Sequence, residues 1–341
     1  MTRPKLCGGL LNRRTQAIAK SLGGLPADVC INSDSPALAF PALEFHDLDN
    51  HIRARYNPGY RSIDRLAFDQ WLVARAKDAG VQVFYQTRTR SMMITEDSIH
   101  VETSTRPLAA SWLIDASGAA SFTRKRLAGP KQMKLHAVQG EVELSPAPNA
   151  MWAIYRSSYT PLFGWIIPRG SGRFLLGTAL KLDNAKAHRQ DPQSAARGHW
   201  EMLAPLMDYL EHRGISIKLC TRRPRSARLV WPLAQDSLWW GRGHVLVAGE
   251  AAGLLSPFSG EGISYALDSA EAAAFAVISG AGADALPELL MPLRQKLALA
   301  SFKARIVQRA WLRPWALWFM PVVTGQRLKY LSWREGLGPG P

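Results

Sequence analysis

The chain has 341 residues, 47% hydrophobic and 20% charged, enough apolar content to bury a sizeable core and to exclude wholesale disorder. Lys and Arg total 42 against 27 Asp and Glu, a formal net charge of +15, which favours anionic partners such as phosphate-bearing cofactors and lipid surfaces. The basic residues are scattered and no recognition module accompanies them, so nucleic acid is not expected as a partner. Cys7, Cys30 and Cys220 are odd in number and stand at no metal-ligand spacing. They point to a reducing cytoplasm and against a disulfide framework or a structural zinc. The first residues lack the apolar core of a secretory signal, and no run approaches the roughly 20 apolar residues of a bilayer span.

In chain order, DRLAFDQWLVARAKDAG places Leu66, Trp71, Leu72 and Ala76 at near-helical spacing and stops at Gly80, which predicts one helix. VQVFYQ (Val81 to Gln86), SIHVET (Ser98 to Thr103) and SWLIDAS (Ser111 to Ser117) then read as strands, with Thr95 to Asp97 as a hairpin turn. From about Leu135 to Ala179 the segments LHAVQGEVEL, MWAIYRSS, FGWIIPRG and RFLLGTA predict an antiparallel sheet, the kind of layer that forms one wall of a substrate pocket. A helical stretch from Asp191 to His212 and another strand pair follow. Near the end, Leu293, Leu297, Ala300, Ala304, Val307 and Trp311 form one helical stripe, with Arg294, Arg305, Arg309 and Arg313 away from it. His46, His51 and His136 have no acid or nucleophile in a catalytic pattern and read as structural, and Asp47 and Asp49 read as part of a solvated loop.

One stretch carries more specific chemistry. HVLVAG, from His244, has the continuous apolar character of a buried parallel strand, and Glu250 sits at its carboxyl end, where a carboxylate can accept hydrogen bonds from ligand hydroxyls. Gly249 and the small residues after it allow close approach to the backbone. Pro257, Gly260, Glu261 and Gly262 then lead into a long helix whose first N–H groups suit a phosphate or an electron-rich ring oxygen.

VLVAGEAAGLLSPFSGEGISYALDSA resembles the second flavin-binding motif of FAD-dependent oxidoreductases of the p-hydroxybenzoate-hydroxylase superfamily, with Glu250 in place of the usual Asp. The resemblance makes Glu250 a ribityl ligand and brings the backbone at Gly260 to Gly262 against the cofactor. DRLAFDQWL resembles the family's R-x-x-F-D-x-W-L helix, which puts Arg65 beside the flavin. WLIDASGAASFTRKRL resembles the A-D-G-A-x-S-x-x-R motif, with Ser117 at the usual Asp and Gly118, Ser121 and Arg124 matching. FGWIIPRGSGR resembles a geranylgeranyl-reductase motif, implying a substrate wall of Phe163, Trp165 and Pro168. KLCGGLL resembles that family's P-C-G-G-x-L segment, with Cys7 as a flavin-proximal, catalytic thiol. Across about Lys5 to Gly325 the chain looks most like the CbrA-type branch of the geranylgeranyl-reductase-like flavoproteins.

These features together imply an α/β fold: an FAD/NAD(P)-binding parallel sheet with helices, N-terminally truncated, plus an antiparallel substrate sheet. The expected domains are a discontinuous FAD-binding part (1–130 and 225–285), a substrate domain (131–224) and a C-terminal helical segment (286–341). The superfamily opens with a G-x-G-x-x-G βαβ unit that has no counterpart before KLCGG. About 35 to 45 residues are expected to be absent, leaving unpaired strand edges and weak or no FAD binding. The expected activity is reduction of C=C bonds in a hydrophobic, isoprenoid-like substrate through FAD, with NAD(P)H or a protein as electron donor. The alternatives are a flavin monooxygenase or halogenase, and a non-catalytic remnant that binds lipid or a partner. The basic, Trp-rich end, including Trp311, implies peripheral contact with the inner membrane surface.

Overall fold

The computed structural model describes residues 5–31, 41–96, 98–160, 162–181, 199–232, 237–317 and 329–331. The strands are β1 (Leu10–Leu11), β2 (Leu43–Asp47), β3 (Ile52–Tyr56), β4 (Arg61–Ser62), β5 (Thr89–Ile94), β6 (Ile99–Thr103), β7 (Pro107–Ala110), β8 (Leu113–Asp115), β9 (Lys134–Ser145), β10 (Met151–Tyr155), β11 (Gly164–Gly170), β12 (Arg173–Lys181), β13 (Ser216–Leu219), β14 (Arg225–Val230), β15 (Gly241–Arg242), β16 (Val245–Val247) and β17 (Lys329–Leu331). The helices are α1 (Arg13–Ser21), α2 (Arg65–Asp78), α3 (Phe122–Arg126), α4 (Ala204–Glu211), α5 (Ile263–Ile278), α6 (Leu286–Leu289) and α7 (Met291–Val307). The chain divides into two compact units, one formed by 1–3, 69–133 and 230–302, the other by 4–68, 134–229 and 303–341.

The second unit is built on a nine-stranded sheet in the order β13-β9-β12-β11-β10-β2-β3-β17, with β14 also paired to β9. The four segments expected to form an antiparallel sheet are β9 to β12, and β9 pairs with β12, β12 with β11 and β11 with β10, each antiparallel. The parallel step between β10 and β2, with Trp152 opposite Glu44, brings the N-terminal part of the chain into the same sheet. One face buries Ile154, Ile166 and Leu176 against Leu203, Leu206 and Leu210 of the α4 region. Of the expected helix from Asp191 to His212, residues 191–198 lie outside the described residues.

Three readings of this unit need correction. Asp47 is not on a solvated loop: it ends β2 with 1% exposure. Arg313 is not on an outward face either, being 3% exposed, 3.4 Å from Asp47 and hydrogen-bonded to Asp49. Two carboxylates from the β2 end accept this buried guanidinium, which offsets its desolvation. Trp311 leaves the apolar stripe because α7 stops at Val307, and it is 68% exposed.

His46 is fully buried in the same sheet. Its Nε2 lies 3.2 Å from Glu44, its Nδ1 lies 2.7 Å from the Tyr209 hydroxyl, and its ring packs 4.2 Å from Trp152. Burial, partly countered by the hydrogen bond to Glu44 and reinforced by the charge of Arg53, pushes its pKa from 6.5 down to about 4. Between those values the unfolded chain binds the proton and the folded chain does not, so stability falls as pH drops through the window. Thermal unfolding at stepped pH is expected to show a loss on the order of 3 kcal/mol across it. His46→Gln should flatten that dependence, and an unchanged slope in the variant would overturn the assignment.

The first unit holds two three-stranded sheets, β15-β16-β8 and β5-β6-β7. Parallel pairing of β16 with β8, Val247 opposite Asp115, is the parallel element, and Tyr265 of α5 packs over it with Leu246, Leu286 and Leu297. Among the described residues β8 has no neighbour on its other edge, and Ile114 is 44% exposed there. VQVFYQ is not a strand. It runs as loop after α2, with Val81 53% exposed and Phe84 stacked under Arg106, because no neighbouring strand satisfies its backbone. Instead, β5 pairs with β6 through the expected turn at Thr95 and Glu96; Asp97 lies outside the described residues. Among the described residues no helix is long and apolar enough to cross a membrane.

Candidate functional site

In the first unit, the short strand β16 delivers the chain into a tight 3-10 turn, Gly249–Ala252, that ends on Gly253 in the left-handed region. Glu250 projects from this turn: its Oε1 accepts the Val230 N–H at 3.0 Å, and its Oε2 lies 3.5 Å from where a β-carbon on Gly118 would sit. The turn is pinned from behind by α5, whose Ser269 hydroxyl accepts the Gly249 N–H at 2.8 Å. It is pinned from the side by Arg124. That guanidinium donates to the Ala251 carbonyl from Nε and Nη2, and to the carbonyls of Pro130 and Ser237 from Nη1. Burial lowers the Arg124 pKa to about 10, the Asp115 charge opposing it.

Asp115 organises the other wall. At the carboxyl end of β8 it accepts the Ser117 N–H at 2.9 Å, the Ser121 hydroxyl at 2.8 Å, and the Thr123 N–H and hydroxyl at 3.1 and 2.6 Å. Burial pushes its carboxyl up, but the hydrogen bonds from Ser117, Thr123 and Ser121 outweigh that and hold it below the usual value. Sequence reasoning matched Gly118, Ser121 and Arg124 to a motif without assigning Asp115. The signal was present, an acid ending a short apolar strand before a Ser-rich turn.

Beyond the turn, Pro257 offers its carbonyl to the Trp231 indole at 3.4 Å, and the Glu261 carbonyl accepts the Ser256 N–H at 2.8 Å. Gly260, at φ 70°, has open space where a β-carbon would go, and Gly262 starts α5 with no side chain capping it. A β-carbon at Gly262 would lie 2.8 Å from the Leu255 Cδ1, so a larger residue there would have to displace that side chain. A carboxylate beside a helix start that leaves its first turn to a ligand is the donor and acceptor set that a ribityl hydroxyl and a phosphate or ring oxygen need. The residues present therefore fit that part of FAD, and Gly249, Glu250 and Gly260 to Gly262 are the ones that could hold it.

In the second unit, Cys7 and Arg65 come together on one cavity of about 640 Å³. Arg65 opens α2, and Cys7 lies in the glycine-rich turn before β1, where its Sγ receives the Gly9 N–H at 3.4 Å. Gln139 of β9 also lines the cavity. Its Nε2 donates to the Cys7 carbonyl at 3.4 Å, and its Oε1 accepts the Trp165 indole at 3.0 Å. Trp165 therefore stands one residue behind the cavity wall. Phe163, Trp165 and Pro168 are buried in the sheet and do not line the cavity, Phe163 packing on Tyr155 and Trp165. Among the described residues no cluster of His, Cys, Asp or Glu could hold a metal, and all three cysteines are free thiols.

Comparison with known proteins agrees with this chemistry. The family profile described as FAD dependent oxidoreductase matches residues 11–291. Protein CbrA of Escherichia coli O1:K1 / APEC is 27% identical over 328 residues, covering 92% of this chain and 82% of that protein. The fold is similar to a geranylgeranyl bacteriochlorophyll reductase-like protein from Thermoplasma acidophilum (TM-score 0.69, 15% identity, 89% of this chain and 77% of that one). It is also similar to PqsL of P. aeruginosa (TM-score 0.63, 18% identity, 92% and 88% covered). With a family match over most of its length and the flavin-type turn built as described, the chain belongs to the FAD-dependent oxidoreductases.

Proposed function

We propose that the chain reduces C=C bonds of a hydrophobic, isoprenoid-like substrate, with NAD(P)H as electron donor. The observation that carries this reading is the second unit's cavity, which Cys7 lines together with Leu6, Leu66 and Leu175. FAD, once bound and reduced by NAD(P)H, would supply the hydride. In the first unit, Glu250 and the backbone at Gly260 to Gly262 would orient the cofactor, and in the second the apolar side chains of the cavity would keep water from the alkene. Saturation needs a proton on the second alkene carbon, and in this reading the Cys7 thiol gives it and regains one from solvent. The exposed Trp311 and Trp315, with Arg305 and Arg309, suit access from an anionic bilayer surface.

The test is anaerobic incubation of the full chain with FAD, NADPH and a prenyl substrate presented in anionic vesicles, followed by mass spectrometry. The expected product has gained two hydrogens per reduced bond, and Cys7→Ala should slow its formation by about tenfold or more. Oxygen or halogen incorporation under aerobic conditions, with no hydrogenated product, would replace this reading by flavin-oxygen chemistry.

A further inference from the structure

We propose that Gln139 is the positioning residue of the Cys7 turn, and that Trp165 acts on that turn through it, by dictating which end of the Gln139 amide faces the Cys7 backbone. The inference rests on the reading of Cys7 as the working thiol of the cavity.

The arrangement spans three neighbouring strands of the second unit. Register sets Trp165 of β11 opposite Gly177 of β12, and Gly177 opposite Gln139 of β9, so the three stand abreast on one face of the sheet. A β-carbon at Gly177 would lie 2.4 Å from the indole Nε1, so the indole lies over bare backbone and reaches across β12 to Gln139. One row along on the same face, Leu175 and Glu141 stand opposite each other and line the cavity with Gln139.

The amide is held by two partners that each work in one direction only. An indole N–H donates and a peptide carbonyl accepts; with Trp165 Nε1 3.0 Å from Gln139 Oε1, the amide nitrogen is turned toward the Cys7 carbonyl, 3.4 Å away. Reversing the amide would set N–H against N–H and oxygen against oxygen. Gln139 and Trp165 are both 8% exposed, so that mismatch is costly.

The far end of the turn is tied separately, the Gly9 carbonyl accepting the Ile63 N–H at 2.8 Å. Between the two ties lie Gly8 and Gly9, with no side chains to resist rotation, and Gly9 sits at φ 68°. The Gln139 bond therefore sets the tilt of the Cys7 peptide, and with it the direction of the thiol. The contact of Sγ with the Gly9 N–H, at 3.4 Å, belongs to this closed turn. A proton donor displaced by about 1 Å loses its reach to the carbon it serves.

The test labels Cys7 in the full chain, with Cys30 and Cys220 replaced by Ser, using an aromatic disulfide reagent. Rates are read by mass spectrometry relative to this parent at each pH. Gln139→Leu removes both bonds of the amide and is expected to speed labelling about fivefold, the worth of one hydrogen bond. Trp165→Phe keeps a ring but loses the N–H; it should raise the rate part of the way, and add nothing in the Gln139→Leu background. Gln139→Glu is the diagnostic variant. A protonated carboxyl offers the amide's pattern of one donor and one acceptor, whereas an ionised one only accepts. Burial lifts the pKa of the introduced carboxyl, so its rate should match the parent at about pH 5 and approach that of Gln139→Leu at about pH 8. Ile166→Val, a buried truncation on the opposite face of β11, should leave the rate unchanged. An unchanged rate in Gln139→Leu, a pH-independent ratio in Gln139→Glu, or an equal rise in Ile166→Val would overturn the proposal. In turnover, Gln139→Leu should lower kcat about tenfold with KM little changed. Labelling that responds as expected in a chain with no reductase activity would sink the reductase reading and not this one.

Discussion

Asp115→Ala is expected to destabilise the first unit by about 3 to 5 kcal/mol and to disorder the turn from Ser117 to Thr123. Five hydrogen bonds from three residues converge on this one carboxylate, which is 6% exposed. Removing it leaves buried N–H and O–H groups with no acceptor, each costing more than the bond itself contributed. The damage then spreads, because Arg124 follows directly on this turn and its guanidinium holds the Ala251 carbonyl of the Glu250 turn. Asp115→Asn is the graded variant: it keeps one oxygen but turns an amide toward groups that only donate there, so it should fall between wild type and Ala. The pH sign follows from the lowered carboxyl pKa. Its contribution is complete above the unfolded value of about 4 and is lost as pH falls below it, so wild type and variant should converge in acid. Denaturant unfolding across pH measures both effects. A loss under about 1 kcal/mol at neutral pH would show that the turn is held by something else.

How far the sequence reaches depends on whether a feature is local. β9 to β12 were legible because each carries its own run of β-branched and aromatic residues, and the GEAAG turn because strand, acid and glycines are contiguous. VQVFYQ has the same local character as a strand and fails for want of a partner, while β5, exposed for much of its length, forms because β6 lies beside it. Strand pairing is a property of two segments, and one segment's composition reports only half of it. The parallel step from β10 to β2 was invisible for the same reason.

Charged residues show the rule most sharply. Arg313 lies on a helical pattern whose apolar stripe points elsewhere, so the sequence assigns it to solvent. Its acceptors, Asp47 and Asp49, are at the opposite end of the chain and bury it. Arg169 and Arg173 of the cavity wall are equally unreadable, since each alone is an ordinary surface Arg and only the fold brings them there. Cys7 and Arg65 reached the site through motif resemblance; Gln139, which touches Cys7 and Trp165 together, belongs to no motif.

The same distinction between local and collected roles decides the expected behaviour of Glu250. Its carboxylate has a structural duty, accepting the Val230 N–H at 3.0 Å, and a proposed ligand duty toward the ribityl chain. Glu250→Ala removes both and is expected to weaken FAD binding by about 10- to 100-fold, the worth of one hydrogen bond to a charged group, while lowering stability by about 1 kcal/mol. Glu250→Gln keeps an oxygen for Val230, so its stability should stay near wild type while FAD affinity falls part of the way. Glu250→Asp shortens the side chain by one methylene, which pulls it from Val230 and separates reach from charge. Paired measurements, FAD affinity by fluorescence titration and unfolding temperature without cofactor, tell the duties apart. If Glu250 served Val230 alone, the Gln variant would bind FAD as wild type does, and the Ala variant would lose affinity only as far as it loses stability. A drop in affinity in the Gln variant at unchanged unfolding temperature assigns the carboxylate to the cofactor, and with it the turn that β16, Arg124 and Ser269 hold in place.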